Sequence, residues 1–165
     1  MVENVISSKT SHFFEILDYE FHRAMRYQNA ITLMFIKLCH LDEIVREYGQ
    51  VTAESMISEV ERLIRSNIRH TDRGFMYGKD EFMIILPNTP KDGAHCMIPK
   101  LQRLIESYHC NNPSGAFVQL TPKFGIASYM HNSESKSGID KLTESVSEIY
   151  SMNMERSQRL EKQVV

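Results

Sequence analysis

Cysteine is scarce in this chain of 165 residues: Cys39, Cys96 and Cys110 are odd in number and far apart. Without a C-x-x-C pair, neither a zinc site nor a disulfide framework is indicated. A reducing, cytoplasmic compartment is the expectation. No apolar run reaches the ~18 residues of a membrane span. The opening MVENVISSKT lacks the charged-then-apolar pattern of a signal peptide. Positive charge is not in excess either. The net charge of −2 provides no global basic field for nucleic acid or anionic lipid. A small anionic ligand therefore needs a local basic pocket. Internal repeats and low-complexity segments are absent, and the length suits one domain with a real core.

What is present is periodicity. Phe13, Phe14, Leu17, Phe21 and Ala24 recur at helical spacing. The β-branched, apolar run ITLMFIKL (31–38) predicts a buried central strand, with Lys37 anomalous inside it. LDEIVREYG predicts a short helix stopping at Gly49, and Met56, Ile57, Val60, Leu63, Ile64 and Ile68 line one face of another. GFMY and FMIILP predict a β-hairpin with GKDE at its turn. Thr89 is the expected N-cap of the next helix, with Pro90 at its first position and Pro99 as an expected kink. AFVQLTPKFGIASY supplies one or two strands, SESKSG a polar linker, and Ile139, Leu142, Val146, Ile149 and Tyr150 a last helix. The order predicts an α/β (α+β) architecture, a mixed sheet with a central hairpin covered by helices. The phenylalanines and methionines are expected in the core.

RAMRYQNAITLMF, LDEIVREYG, YGKDEFMIILPNT and FGIASY follow one another, with matching spacings, over 13–150. In this ordered set the chain resembles GGDEF domains, the diguanylate cyclases. The resemblance implies a nucleotidyl-cyclase palm-like fold with a five-stranded mixed sheet. It also implies a signature spanning Gly78, Lys79, Asp80, Glu81 and Phe82. The domain is expected over 13–156, with a lead-in at 1–12 and a tail at 157–165.

Carried over position by position, the resemblance implies an inactive member. In the family two divalent cations serve phosphoryl transfer. The family's metal aspartate falls on Lys37, whose ammonium cannot ligate Mg²⁺. Its guanine-reading asparagine falls on Val45 and the next aspartate on Arg46. The phenylalanine and lysine of the same pattern fall on Leu41 and Asp42. The second signature glycine is Lys79. The phosphate-holding lysine and arginine fall on Asn153 and Ser157. Asp80 matches the remaining metal acid. An ion pair between Lys37 and Asp80, where the metal would sit, is the expectation, with no metal and no other cofactor.

A second family motif stands intact. R-x-x-D, five residues before the signature, binds the product cyclic di-GMP; here it is Arg69 to Asp72. An arginine fork suits guanine O6/N7 or phosphate oxygens, and a carboxylate accepts from guanine N1–H and N2–H. Both side chains are expected to point outward. Arg73 is a candidate phosphate contact, and His70 and Thr71 offer edges within the motif. Lys100 falls where the family places a clamping base from a neighbouring protomer, although a lysine lacks the fork. The resulting expectation is a cyclic di-GMP receptor in bacterial signalling, with an unidentified protein partner and a ligand-linked homodimer as an option. The rivals are a protein–protein docking module without nucleotide binding and a residual GTP-binding domain using Asp80 and Glu81.

Overall fold

The structure is a computed structural model and describes residues 2–111 and 117–130. In chain order it contains α1 (Val2–Tyr27), β1 (Ile31–Cys39), α2 (Leu41–Tyr48), α3 (Gln50–Asn67), β2 (Arg73–Met76) and β3 (Glu81–Pro87). After these come α4 (Lys91–Ser107), β4 (His109–Asn111), β5 (Phe117–Gln119) and β6 (Thr121–Tyr129). The family resemblance implied a mixed five-stranded sheet. Among the described residues the main sheet has four strands, ordered β2-β3-β1-β6, and its pairings are all antiparallel. β4 and β5 form a separate two-stranded sheet. The predicted linker 133–138, the last helix and the tail lie outside the described residues.

β1 shows why the fold has two cores. Successive side chains of a strand point to opposite faces. Met34, Ile36 and Leu38 join a cluster with Ile44 of α2, Met56, Val60 and Ile64 of α3, and Leu101 and Ile105 of α4. Ile31, Leu33 and Phe35 join Phe13, Leu17, Phe21 and Ala24 of α1. β3 divides in the same way, with Phe82, Ile84 and Leu86 on the first face and Met83 and Ile85 on the second. Strands that are apolar on both faces are therefore covered on both sides, as their composition demands.

Two expectations change locally. Phe14 is 42% exposed and lies outside the core, unlike Phe13 and Phe21. Thr89 does not cap α4: its Oγ1 donates to the Pro87 carbonyl, while Pro90 occupies the N-cap position. Thr89 is instead buried, and its carbonyl accepts from Thr32 Oγ1 of β1 at 2.7 Å. α4 continues through Pro99, which is exposed. Gly49 joins α2 to α3 at φ 86°, a left-handed conformation that glycine adopts without steric cost.

Candidate functional site

The hairpin turn between β2 and β3 is closed by backbone hydrogen bonds. The N–H groups of Tyr77 and Gly78 donate to the Glu81 carbonyl at 2.8 and 3.3 Å, and the Leu38 N–H donates to the Asp80 carbonyl at 2.8 Å. Antiparallel register places Lys37 of β1 directly opposite Glu81 of β3. The Lys37 ammonium lies 3.1 Å from Glu81 Oε1 and 3.4 Å from Asp80 Oδ2. The expected pairing with Asp80 is therefore present, and Glu81 joins it. Burial lowers the Lys37 pKa, but the hydrogen bond it donates to Glu81 and the charges of Asp80 and Glu81 outweigh it and hold it above its ordinary value.

Gly78 serves this cluster directly. A Cβ there would stand 2.7 Å from Glu81 Oε2 and 3.2 Å from its carboxyl carbon. The glycine thus leaves room for the carboxylate that meets Lys37. Lys79 is exposed, and Phe82 is buried in the core. Leu41 is buried and Val45 packs against the same core, so neither offers a polar edge, while Asp42 and Arg46 are exposed. Asn153 and Ser157 lie outside the described residues. Among the described residues, no group of three or more His, Cys, Asp or Glu side chains is placed to hold a metal ion.

The Arg69–Asp72 motif forms the turn from α3 into β2. The Arg69 N–H donates to Asp72 Oδ2 at 2.7 Å, and the Asp72 N–H donates back to the Arg69 carbonyl at 2.9 Å. This reciprocal clasp corrects the expectation that both side chains point outward. Arg69 is exposed, but Asp72 is 6% exposed, because its carboxylate folds back onto the turn. Its Oδ1 is buried and has no hydrogen-bond partner among the described residues. Burial pushes the Asp72 carboxyl above its ordinary pKa, against the opposing pull of the Arg69 N–H and the charges of Arg69 and Arg73.

A cleft of about 630 Å³ opens beside this turn. Arg69, His70, Asp72 and Arg73 line one side, Glu61 and Arg65 of α3 another, and His12 and Ile16 of α1 a third. The Arg73 side chain is braced by a hydrogen bond from Nη1 to the His70 carbonyl at 2.9 Å. Thr71 and Lys100 are both exposed, and neither lines the cleft. The turn residues were legible as a motif, whereas Glu61, Arg65 and His12 were not. The i, i+4 spacing of Glu61 and Arg65 in the last turns of the predicted helix, just ahead of Arg69, was the available signal.

The profile of the family described as "Diguanylate cyclase, GGDEF domain" matches residues 9–153. The chain therefore belongs to the GGDEF domain family. Its fold is shared with the GGDEF domain of DgcB from Caulobacter crescentus, solved in complex with c-di-GMP. That match has a TM-score of 0.70 and 18% identity and covers 79% of this chain and 78% of the other. The FimX GGDEF domain from Pseudomonas aeruginosa matches with TM-score 0.70 and 16% identity, over 84% of this chain and 85% of the other. Among curated relatives, diguanylate cyclase A of Treponema denticola is 24% identical over 131 residues, 78% of this chain and 35% of the relative. The uncharacterized membrane protein YdaK of Bacillus subtilis is 28% identical over 105 residues, 64% of this chain and 36% of the relative. The chain thus spans about a third of the length of these two relatives. No helix among the described residues is long and apolar enough to cross a membrane.

Proposed function

We propose that this GGDEF domain is a receptor for cyclic di-GMP, without diguanylate cyclase activity. One observation carries the reading: the motif Arg69–Asp72 lines a cleft of about 630 Å³, and Asp72 holds a buried carboxylate oxygen with no hydrogen-bond partner among the described residues. An unpaired buried acceptor costs the fold stability, and such cost concentrates where a ligand supplies the missing donor. Guanine supplies it through N1–H and N2–H, while an arginine fork suits guanine O6/N7 or a phosphate. The size falls in the range of ~300–1,000 Å³ typical of small-molecule sites. The DgcB relative, whose fold this chain shares, was solved with c-di-GMP.

The hairpin supports the inactive half of the reading. The chain's residues do not fit the divalent cations that the family's reaction uses. A metal at Asp80 and Glu81 would have to displace the Lys37 ammonium, which already pairs with both carboxylates at 3.4 and 3.1 Å. Mg²⁺ needs a near-ideal octahedral oxygen set, and a lysine contributes repulsion in place of a ligand.

Titration calorimetry of cyclic di-GMP into the wild-type chain and the Arg69→Ala variant tests the reading. Micromolar or tighter binding that weakens at least about tenfold in the variant supports a receptor. No heat with the folded wild-type chain, or cyclic di-GMP formed from GTP and Mg²⁺, overturns it.

A further inference from the structure

We infer that the cleft takes a single cyclic dinucleotide from within one chain, with Arg65 serving as the second arginine beside Arg69. This rests on the receptor reading and adds to it a specificity-determining residue and a stoichiometry. The family resemblance implied a second base from α4 of a neighbouring protomer, at the position of Lys100. Lys100 does not line the cleft, and Arg65 does.

Arg65 lies in the last turn of α3 and Arg69 in the turn that follows the helix, and both line the cleft. Its guanidinium is held in place. Nε and Nη2 both donate to Glu61 Oε1, at 3.0 and 2.8 Å. A guanidinium carries five N–H donors, so most of the fork stays available to a ligand. The bond to Glu61 fixes the rotamer in advance, which lowers the ordering cost of binding. Arg73, braced on the His70 carbonyl, adds a third guanidinium to the wall. Three arginines against the carboxylates of Glu61 and Asp72 leave a local excess of one positive charge (3 − 2 = +1) in a chain whose net charge is −2. That is the local basic pocket an anionic ligand requires.

α1 closes the opposite side. His12 meets the ring of Phe75 edge-on, with centroids 6.3 Å apart, and Phe75 in turn packs edge-on against Phe13 of the core. The wall is thus tied to the β2 strand that floors the cleft. A cleft lined by α1, α3, β2 and the α3–β2 turn of one chain, and carrying its own guanidinium groups, needs no residue from a second protomer.

The test is calorimetry with cyclic di-GMP, paired with native mass spectrometry of the same samples. It uses wild type, Arg65→Ala, Glu61→Gln and Lys100→Ala. The expected result is one ligand per chain and no ligand-induced change of oligomeric state. Arg65→Ala weakens binding about ten- to a hundredfold. Glu61→Gln weakens it less, and Lys100→Ala leaves it unchanged. Two ligands per chain, a ligand-linked dimer, or loss in Lys100→Ala with none in Arg65→Ala overturns the inference and leaves the receptor reading standing. No binding to the folded wild-type chain overturns both.

Discussion

Lys37 of β1 and Glu81 of β3 are register partners whose side chains meet at 3.1 Å, with side-chain exposures of only 12% and 9%. Asp80 stands on the other side of the same ammonium at 3.4 Å. Lys37 is the one charged residue of the β1 strand, and its consequences are measurable.

Removing the ammonium leaves two carboxylates facing each other without compensation. Lys37→Met is expected to lower stability by about 2–3 kcal/mol in urea denaturation, the lower end of what breaking a buried pair costs. The pH dependence follows from the raised Lys37 pKa. Its stabilising contribution is fully present below 10.5, the ordinary lysine value, and is lost as pH rises through the raised folded value. The difference between wild type and Lys37→Met should therefore hold at neutral pH and shrink in strongly alkaline buffer. Millimolar Mg²⁺ should leave the wild-type melting temperature unchanged, because a ligand that does not bind the native state cannot stabilise it.

Gly78 and Lys37 should be energetically coupled through Glu81. A Cβ at position 78 would collide with Glu81 Oε2 at 2.7 Å, pushing the carboxylate off the ammonium. Gly78→Ala is expected to cost about 1–3 kcal/mol. In the Lys37→Met background the cost should fall, since the displaced carboxylate no longer loses a partner. A double-mutant cycle by urea denaturation reads this coupling, expected at about 0.5–3 kcal/mol. Strict additivity would show that Gly78 acts by backbone freedom alone.

Asp72 predicts a separation of stability from binding. Asn at this position keeps an oxygen for the Arg69 N–H, now 2.7 Å from Asp72 Oδ2, and removes a buried charge. Burial raises the Asp72 pKa above 3.8. The sign follows: the stability tied to this group is present below 3.8 and is lost as pH rises through the raised folded value, so at neutral pH the ionised carboxylate burdens the fold. Asp72→Asn should melt at or above the wild-type temperature at pH 7, by up to about 1 kcal/mol, and the gap should close in acid. The same variant should lose cyclic di-GMP affinity. A variant both destabilised and non-binding would mark the carboxylate as a purely structural clasp.

Gly49 offers a test of backbone strain alone. Its φ is 86° and an added Cβ would meet nothing within 4 Å. Gly49→Ala should cost about 1–2 kcal/mol from the left-handed conformation, with no packing contribution. Chemical denaturation gives the value directly, and unchanged stability would mean that the α2–α3 junction relaxes.

The apolar strands and amphipathic helices were legible because period and composition agree in them: β1, β3, α3 and α4 all stand where their patterns placed them. The Lys37–Asp80 pair was legible because the family resemblance sets Lys37 and Asp80 at two positions that would share one metal ion, and an ammonium there meets the remaining carboxylate. The share of Glu81 was not, since it depends on the β1–β3 register, which no local pattern prints. The spacing of Arg69 and Asp72 identified the turn, yet the burial of Asp72 comes from a clasp formed across three residues. Thr89 carries the composition of an N-cap, but the β1 strand claims its carbonyl through Thr32 from 57 residues away. β4 was missed because its three residues are too few to show a period.

β2 is four residues long and bonds to a neighbour on one side only, among the described residues. Arg73 at its first position belongs to the cleft, and the turn that carries Gly78 and Asp80 begins just past its end. About 13 Å of extended chain joins the two. Edge strands of this length exchange their amide protons through small local openings, well before the molecule unfolds as a whole. The stretch shared by the cleft and the charged turn is therefore the shortest edge of the sheet, where local opening is expected first. Any molecule that settles against Arg73 would slow that opening, and the change would be felt at both ends of the strand.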